Sequence, residues 1–293
     1  MRISSLPRAE IAKLIKTALD CGINFFDHAD IYGDGQAEVD FAQAIKDTHI
    51  PREKLIVQTK CGIRKDGNVC KYFYDFSKKH IIQSLENSLA RLRMDYVDVF
   101  LLHRPDTLME PEEVAEAFEV LHRAGKARYF GVSNHNAGQI LLLKKFIGDK
   151  HRIVVNQLQF SPTNASMIDV GLYVNTQHPA SIDHDGGILE YCRLEDITIQ
   201  AWSPFQYGFF EGVFLTGNKY PALNQRISEL AADKKVFPEA IVTAWILRHP
   251  AQIQIIPGTT KAERIQRICE AHTFHLSREE WYSVYCAAGN VLP

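Results

Sequence analysis

Seven short apolar runs recur along the chain, and longer amphipathic segments separate them. The runs are rich in leucine, aromatic and β-branched residues, and they are nearly continuous rather than alternating with polar residues. Such runs are typical of strands that are buried on both faces of a parallel sheet. Because strands and helices alternate to the end of the chain, the pattern predicts an α/β fold. The predicted strands span 24–29, 55–61, 97–103, 127–134, 153–160, 198–204 and 252–259.

Helix starts are marked by capping residues between the predicted strands. Ser77 is a predicted N-cap, and Pro111 fits the first turn of the next helix. Ser277 with Glu280 forms a capping box that begins the last helix. The other predicted helices span 6–21, 138–146, 188–194, 223–234, 238–249 and 261–271.

The chain has 293 residues, which suits a single (β/α)8 barrel of about 250 residues or more. No segment rich in proline, glycine or serine divides it, so we expect one domain over 1–293. The predicted order begins with a helix, and a closed barrel of eight strands would need one more strand before Met1. We therefore expect the first barrel strand to be missing or truncated, and a longer form that carries it to be more stable.

Composition and charge exclude several classes of protein. The net charge of −2 argues against a broad basic face for nucleic acid. No run reaches the ~18 apolar residues of a transmembrane helix, and the N-terminus lacks the apolar region of a signal peptide. The six cysteines are scattered, without metal-site spacing. We expect a cytoplasmic protein without metal, membrane or nucleic-acid partner; its oligomeric state stays open.

Polar side chains stand at the ends of the predicted strands, where a parallel barrel places its active site. Asp27, Lys60 and His103 come from three successive strands, and Tyr32 lies in the loop after the first. Asp27 can hold Lys60 charged, and Lys60 can lower the pKa of the Tyr32 phenol from about 10. A phenol tuned in this way is a usable general acid. Two long loops, 62–76 and 161–187, follow strands at the same end.

These residues lie in blocks that resemble the aldo-keto reductases, and the resemblance extends from Arg2 to the C-terminus. A bacterial branch of oxidoreductases is closest in appearance. The order and spacing of the blocks are specific to the family. The blocks are NFFDHADIYG at 24–33, TK at 59–60, LLHRPD at 101–106, GVSN at 131–134, NQ at 156–157 and QAWSPF at 200–205.

The resemblance implies a (β/α)8 barrel that reduces aldehyde or ketone carbonyls with NADP(H) and no metal. It assigns the catalytic roles to Asp27, Tyr32, Lys60 and His103, with Tyr32 as the general acid. It also implies contacts to the nicotinamide carboxamide and an aromatic side chain under the nicotinamide ring. Further contacts are implied to the pyrophosphate and to the adenosine 2′-phosphate. These cofactor contacts fall on Ser133, Asn134, Gln157, Trp202, Ser203, Pro204, Phe205, Gly258, Thr259, Arg264 and Arg267.

The chain departs from the family where the adenosine 2′-phosphate is held. Many members carry a lysine where Gly258 stands, and the acidic residue and asparagine that often enclose the adenine are replaced by Arg267 and Ile268. Arg264, with Lys261 or Arg267, can supply the positive charge. We expect a moderate preference for NADPH over NADH.

Two other functions remain as alternatives. The chain could be a cofactor-binding sensor or regulatory barrel with little turnover, although binding alone has no need of a tuned tyrosine–lysine pair. It could also be a metal-dependent hydrolase that uses His28, Asp30 and His103. Because His28 is next to Asp27 on a strand, their side chains point to opposite faces, which disfavours a metal site.

Overall fold

A computed structural model describes residues 2–293, and the chain forms two compact units, Met1–Asn156 and Gln157–Pro293. Seven strands are hydrogen-bonded to one another in chain order. The pairs β1–β2, β2–β3, β3–β4 and β6–β7 are parallel. These strands are β1 Phe25–Asp27, β2 Ile56–Cys61, β3 Val97–Leu102, β4 Ala127–Ser133, β5 Ile153–Gln159, β6 Thr198–Trp202 and β7 Gln254–Ile256.

Eleven α-helices precede, separate and follow these strands in the part of the chain from residue 2 onwards, one between successive strands as far as β5 and two at a time after it. The first five lie in the first unit, and the others lie in the second unit. The helices are α1 Arg8–Asp20, α2 Gln36–Thr48, α3 Lys78–Leu92, α4 Pro111–Arg123, α5 Ala137–Ile147, α6 Ser166–Leu172, α7 Ile188–Leu194, α8 Pro221–Lys234, α9 Pro238–Leu247, α10 Ala262–Cys269 and α11 Arg278–Ala287.

One buried apolar cluster of the first unit is formed by side chains from its strands. Val99 and Leu101 of β3 pack against Val155 of β5. β4 lies between them, and Gly131 of this strand has no room for a side chain. A Cβ atom there would lie 2.6 Å from the Leu101 side chain and 2.7 Å from the Val155 carbonyl oxygen. Glycine is therefore required at this position by the close approach of β3 and β5.

Two tryptophans connect α9 and α11 in the second unit. The rings of Trp245 and Trp281 are stacked, with centroids 4.8 Å apart and an interplanar angle of 8°. Each indole N–H donates to the backbone carbonyl of the other residue, at 3.0 and 2.9 Å. Since Trp245 is fully buried, the pair satisfies its polar atoms within the core.

All seven predicted strands are confirmed, with ends shorter by up to three residues. The N-cap at Ser77 and the capping box of Ser277 with Glu280 are also present. Helices α2 and α6 were not predicted. The loop 62–76 contains a two-stranded antiparallel ribbon, Ile63–Arg64 with Phe73–Tyr74. Within residues 2–293, no helix combines the length and the apolar character that a membrane crossing requires.

The tryptophan pair predicts the cost of removing one indole. We expect Trp245→Phe to lower the free energy of unfolding by about 2–3 kcal/mol, because it opens a cavity and leaves the Trp281 carbonyl oxygen without its donor. Chemical denaturation measures the change. Tyr282→Phe, on the surface of α11, is the control and should change stability by less than about 0.5 kcal/mol. Equal effects of the two substitutions would contradict the prediction.

Candidate active site

The site begins where β1 ends beside β2 in the first unit. Asp27 is paired in register with Gln58. The backbone continues along β2 beyond the last residue of β1, since His28 N donates to the Gln58 carbonyl and Asp30 N donates to the Lys60 carbonyl. The chain then turns, with Tyr32 N donating to the Ala29 carbonyl. This path brings Asp27 and Tyr32 to Lys60.

The Lys60 ammonium is fully buried and has three acceptors. Nζ lies 2.7 Å from Asp27 Oδ2, 2.7 Å from the His28 carbonyl oxygen and 3.2 Å from the Tyr32 hydroxyl. A lysine has three N–H donors, so this arrangement uses all of them. Because Lys60 donates to the phenol oxygen, the hydrogen of the Tyr32 hydroxyl must point in another direction. It is therefore available to a further acceptor.

His103 follows the last residue of β3, and its N–H donates to the Cys61 carbonyl. Its ring meets the ring of Tyr32 edge-on, with centroids 5.8 Å apart. His103 Nδ1 is buried and has no hydrogen-bond partner within residues 2–293. The structure thus brings Asp27, Tyr32, Lys60 and His103 together, as the sequence predicted.

Burial controls the charge states of this cluster. It lowers the pKa of His103 to about 3, and the Lys60 charge acts in the same direction, so the imidazole is neutral at neutral pH. Burial also opposes the charge on Lys60, but Asp27 and Tyr32 outweigh it and raise the Lys60 pKa. The Lys60 ammonium is therefore stable in this buried position.

The predicted lowering of the Tyr32 pKa is wrong in its net direction. Burial raises the pKa of the phenol above its usual value, and Lys60 only offsets part of this effect. The reason is that the surrounding protein replaces much of the water that would otherwise solvate the phenolate. Tyr32 consequently carries its proton at neutral pH, as a general acid must before it donates.

Two groups that hold the cluster were missed in the sequence. Gln58 Nε2 donates to Asp27 Oδ1 at 2.6 Å, and the His28 carbonyl accepts from Lys60. Gln58 and Lys60 are two residues apart on β2, so their side chains share a face of the strand. This spacing was a signal that could have identified Gln58. A backbone carbonyl has no such signal in the sequence.

A second buried carboxylate, that of Glu38, contacts the residue that precedes Lys60. Glu38 is fully buried, accepts from Thr59 Oγ1 at 2.6 Å and pairs with Arg91 Nε at 2.7 Å. Asp30 lies near it, and its Oδ1 is buried without a hydrogen-bond partner in the described part of the chain. Burial, with a further contribution from the Glu38 charge, raises the pKa of Asp30 to about 7. Asp30 therefore titrates close to neutral pH.

The side chain of His28 is buried against Phe41 of α2, with ring centroids 4.5 Å apart. Among residues 2–293, no three His, Cys, Asp or Glu side chains are grouped so that they could hold a metal ion.

Ser133 and Asn134 stand at the end of β4, in the first unit. Asn134 adopts a left-handed backbone conformation, with φ of 59°. Its Nδ2 donates to Ser133 Oγ at 2.8 Å and to the His103 carbonyl at 3.4 Å. Ser133 and Asn134 are the two residues of this unit that were predicted to contact the nicotinamide carboxamide. Hydrogen bonds from Asn134 therefore connect them to the backbone of His103.

The second unit contains the other predicted cofactor residues. Gln157 Nε2 donates to Gln200, and Gln200 donates in turn to Gln254, which connects β5, β6 and β7. The ring of Trp202 stacks on Phe210, with centroids 5.7 Å apart and an interplanar angle of 28°. Ser203 has φ of 52° and donates to Gln206. Pro204 and Phe205 follow it and are buried.

The predicted 2′-phosphate residues follow β7. Gly258 has φ of 53°, and nothing lies within 4 Å of the position where a Cβ atom would stand. Thr259 Oγ1 accepts from Lys261 N. Arg264 Nε and Arg267 Nη1 lie 3.7 and 3.6 Å from the same oxygen of Glu239. The two guanidinium groups already converge on one anionic atom, which fits a role in holding an anion.

The raised pKa of Asp30 predicts a dependence of stability on pH. The folded state keeps a proton that the unfolded chain releases above pH ~4, so stability falls as the pH rises from about 4 to 7. We expect Asp30→Asn to remove this loss, so that its advantage over the wild type grows across that range and reaches about 2–4 kcal/mol.

Urea denaturation at several pH values measures this difference. Asp34→Asn, an exposed carboxylate on the same loop, is the control and should follow the wild type. A constant difference between Asp30→Asn and the wild type across pH 4–8 would show that folding does not raise the pKa of Asp30.

Comparisons with known proteins agree with this arrangement. The family model described as "Aldo/keto reductase family" matches residues 1–285. The chain is 36% identical over 286 residues to the oxidoreductase YcsN of Bacillus subtilis (strain 168), covering 95% of this chain and 88% of the relative. It is 33% identical over 284 residues to the oxidoreductase YdhF of Escherichia coli (strain K12), covering 95% and 87%.

Solved structures give the same result for the fold. The thermostable aldo-keto reductase Tm1743, solved with the inhibitor epalrestat, has a TM-score of 0.72 and 26% identity, covering 96% of this chain and 88% of that chain. The seven strands and the helices between them correspond to the (β/α)8 fold of that protein. The chain therefore belongs to the aldo/keto reductase family.

Proposed function

We propose that the protein is an NADP(H)-dependent reductase that converts aldehyde or ketone carbonyls to alcohols. The observation that carries the proposal is the Lys60 ammonium, which is bound to both Asp27 and the Tyr32 hydroxyl at 2.7 and 3.2 Å. A buried lysine that served only as an ion-pair partner would not need the phenol. With Tyr32 as its acceptor, Lys60 can stabilise the anion that forms when the phenol gives up its proton.

The reduced nicotinamide would supply the hydride. Tyr32 would donate its proton to the carbonyl oxygen, and Lys60 would stabilise the resulting phenolate. Burial raises the pKa of Tyr32, which keeps the acid protonated until a substrate oxygen develops negative charge. The neutral His103 can donate a hydrogen bond to the same oxygen and orient the carbonyl.

Asp27 would act through Lys60. Its Oδ2 accepts from the ammonium and its Oδ1 accepts from Gln58. Both carboxylate oxygens are therefore held, and the charge of Lys60 is balanced inside the protein. This makes Asp27 and Gln58 positioning residues for the lysine.

The chain's own residues would hold the cofactor as the family resemblance assigns them. In the first unit, Ser133 and Asn134 offer a hydroxyl and an amide for the nicotinamide carboxamide. In the second unit, Gln157 adds a further amide, and Trp202 supplies an aromatic face for the ring. The turn at Ser203, Pro204 and Phe205 would contact the pyrophosphate, while Gly258, Thr259, Arg264 and Arg267 would hold the 2′-phosphate. The convergence of Arg264 and Arg267 on one carboxylate oxygen supports the last assignment.

A carbonyl screen tests the activity and its substrate class. The relative from Novosphingobium aromaticivorans, 33% identical over 292 residues, is a 6-dehydroglucose reductase. The panel should therefore contain sugar aldehydes as well as small aromatic and aliphatic aldehydes and ketones. Oxidation of NADPH, followed by absorbance, should depend on the carbonyl. The screen is then repeated with NADH.

We expect Tyr32→Phe to lower the single-turnover rate of NADPH oxidation by about 10²–10⁴-fold while the Kd for NADPH changes by less than about threefold. The hydroxyl acts on the transition state, whereas the residues assigned to the cofactor lie elsewhere. Single-turnover oxidation of bound NADPH and a fluorescence titration measure the two quantities. Tyr129→Phe, an exposed tyrosine on β4, is the matched control and should leave both unchanged.

The outcome separates the enzyme from a cofactor-binding sensor. A folded Tyr32→Phe protein that loses less than about tenfold in rate would remove Tyr32 from the role of general acid. Wild-type protein that binds NADPH but oxidises none of it with any carbonyl in the panel would favour the sensor.

A further inference from the structure

The carboxylate of Glu239 lies close to both Arg264 and Arg267 in the second unit. Glu239 is the second residue of α9, and its side chain is 12% exposed. Its Oε1 lies 3.7 Å from Arg264 Nε and 3.6 Å from Arg267 Nη1. The two arginines are three residues apart on α10, so they lie on the same side of that helix. Glu239 is the most buried of the three side chains, since Arg264 is 34% and Arg267 is 42% exposed.

Further contacts hold this cluster in place. The Arg267 guanidinium lies over the ring of Phe237, 4.4 Å from its centroid. Phe237 N donates to Glu270 Oε2 at 2.9 Å, which ties the start of α9 to the segment that follows α10. Arg267 is thus held between an aromatic ring and a carboxylate. A guanidinium fixed in this way loses little freedom when it binds an anion, but it must share its charge with Glu239.

We propose that Glu239 limits the preference of the protein for NADPH over NADH. The inference rests on the proposed function, in which Arg264 and Arg267 hold the adenosine 2′-phosphate. A phosphate monoester carries a charge of about −1.5 to −2 at neutral pH. Any phosphate oxygen that reaches both guanidinium groups comes close to the carboxylate that they already share, and the two anions repel each other.

NADH does not meet this repulsion. It carries a 2′-hydroxyl in place of the phosphate, and a hydroxyl can donate a hydrogen bond to a carboxylate. Glu239 therefore weakens the binding of the 2′-phosphate of NADPH but not the binding of the 2′-hydroxyl of NADH. Its removal should improve the binding of NADPH selectively and leave NADH unchanged or weaker.

The test is Glu239→Gln, which keeps the shape of the side chain and removes its charge. The Kd values for NADPH and NADH are measured by fluorescence titration without substrate, at low and high salt. We expect the Kd for NADPH to fall about tenfold at low salt and the Kd for NADH to change by less than about twofold. High salt should reduce the gain, because it screens partly exposed charges.

Glu229→Gln is the matched control. Glu229 lies on α8, pairs with Arg226 at 3.2 Å and is 49% exposed. Its substitution changes the net charge of the protein by the same amount and should leave the NADPH-to-NADH ratio within about twofold. A second variant, Glu239→Ser, removes the carboxylate with a shorter side chain and should shift the ratio in the same direction. It is used in place of Glu239→Gln if the Tm of that variant is well below the Tm of the wild type.

The possible outcomes are distinct. If wild-type protein binds both cofactors and the Glu239 variants leave the ratio unchanged, or change both Kd values equally, the inference is wrong and the proposed function stands. If wild-type protein binds neither cofactor, the proposed function fails and the inference fails with it. A selective gain for NADPH that Glu229→Gln does not reproduce supports the inference.

Discussion

The buried ammonium of Lys60 is the interaction on which the site depends. A charge without access to water is expensive, and the protein compensates for it with one carboxylate, one backbone carbonyl and one phenol. Asp27 is positioned by the pairing of β1 with β2, and the other two acceptors by the path of the chain after β1, which follows β2 as far as Asp30 before it turns. The pairing of β1 with β2 therefore also determines which groups surround Lys60. A shift of one strand against the other would break the ion pair and move the acid.

Burial also sets the direction of the pKa shifts of Tyr32, His103 and Asp30, which lie around the Lys60–Asp27 ion pair. It keeps Tyr32 protonated, keeps His103 neutral and raises the pKa of Asp30 to about 7. The same low polarity strengthens the hydrogen bonds from Lys60. The site thus combines one fixed positive charge with neutral donors. This combination suits the stabilisation of negative charge that develops on a substrate oxygen.

The strands and the catalytic candidates could be predicted because their signals are local. Apolar runs indicate buried strands, and Asp27, Lys60 and His103 are polar residues at or near the C-terminal ends of three of these runs. Helix α2 was missed because Gly35 precedes it without a capping side chain. The raised pKa of Tyr32 was missed because burial depends on the packed structure. Glu239 was missed because it lies on a different helix from Arg264 and Arg267, and no spacing in the sequence connects them.

The contact between Phe210 and Trp202 has a thermodynamic consequence for any planar group that binds the same face of the indole. Such a group does not meet bare surface there, since a phenyl ring already stacks on it at 5.7 Å. Binding on that face exchanges one aromatic contact for another, so the measured enthalpy reports only their difference.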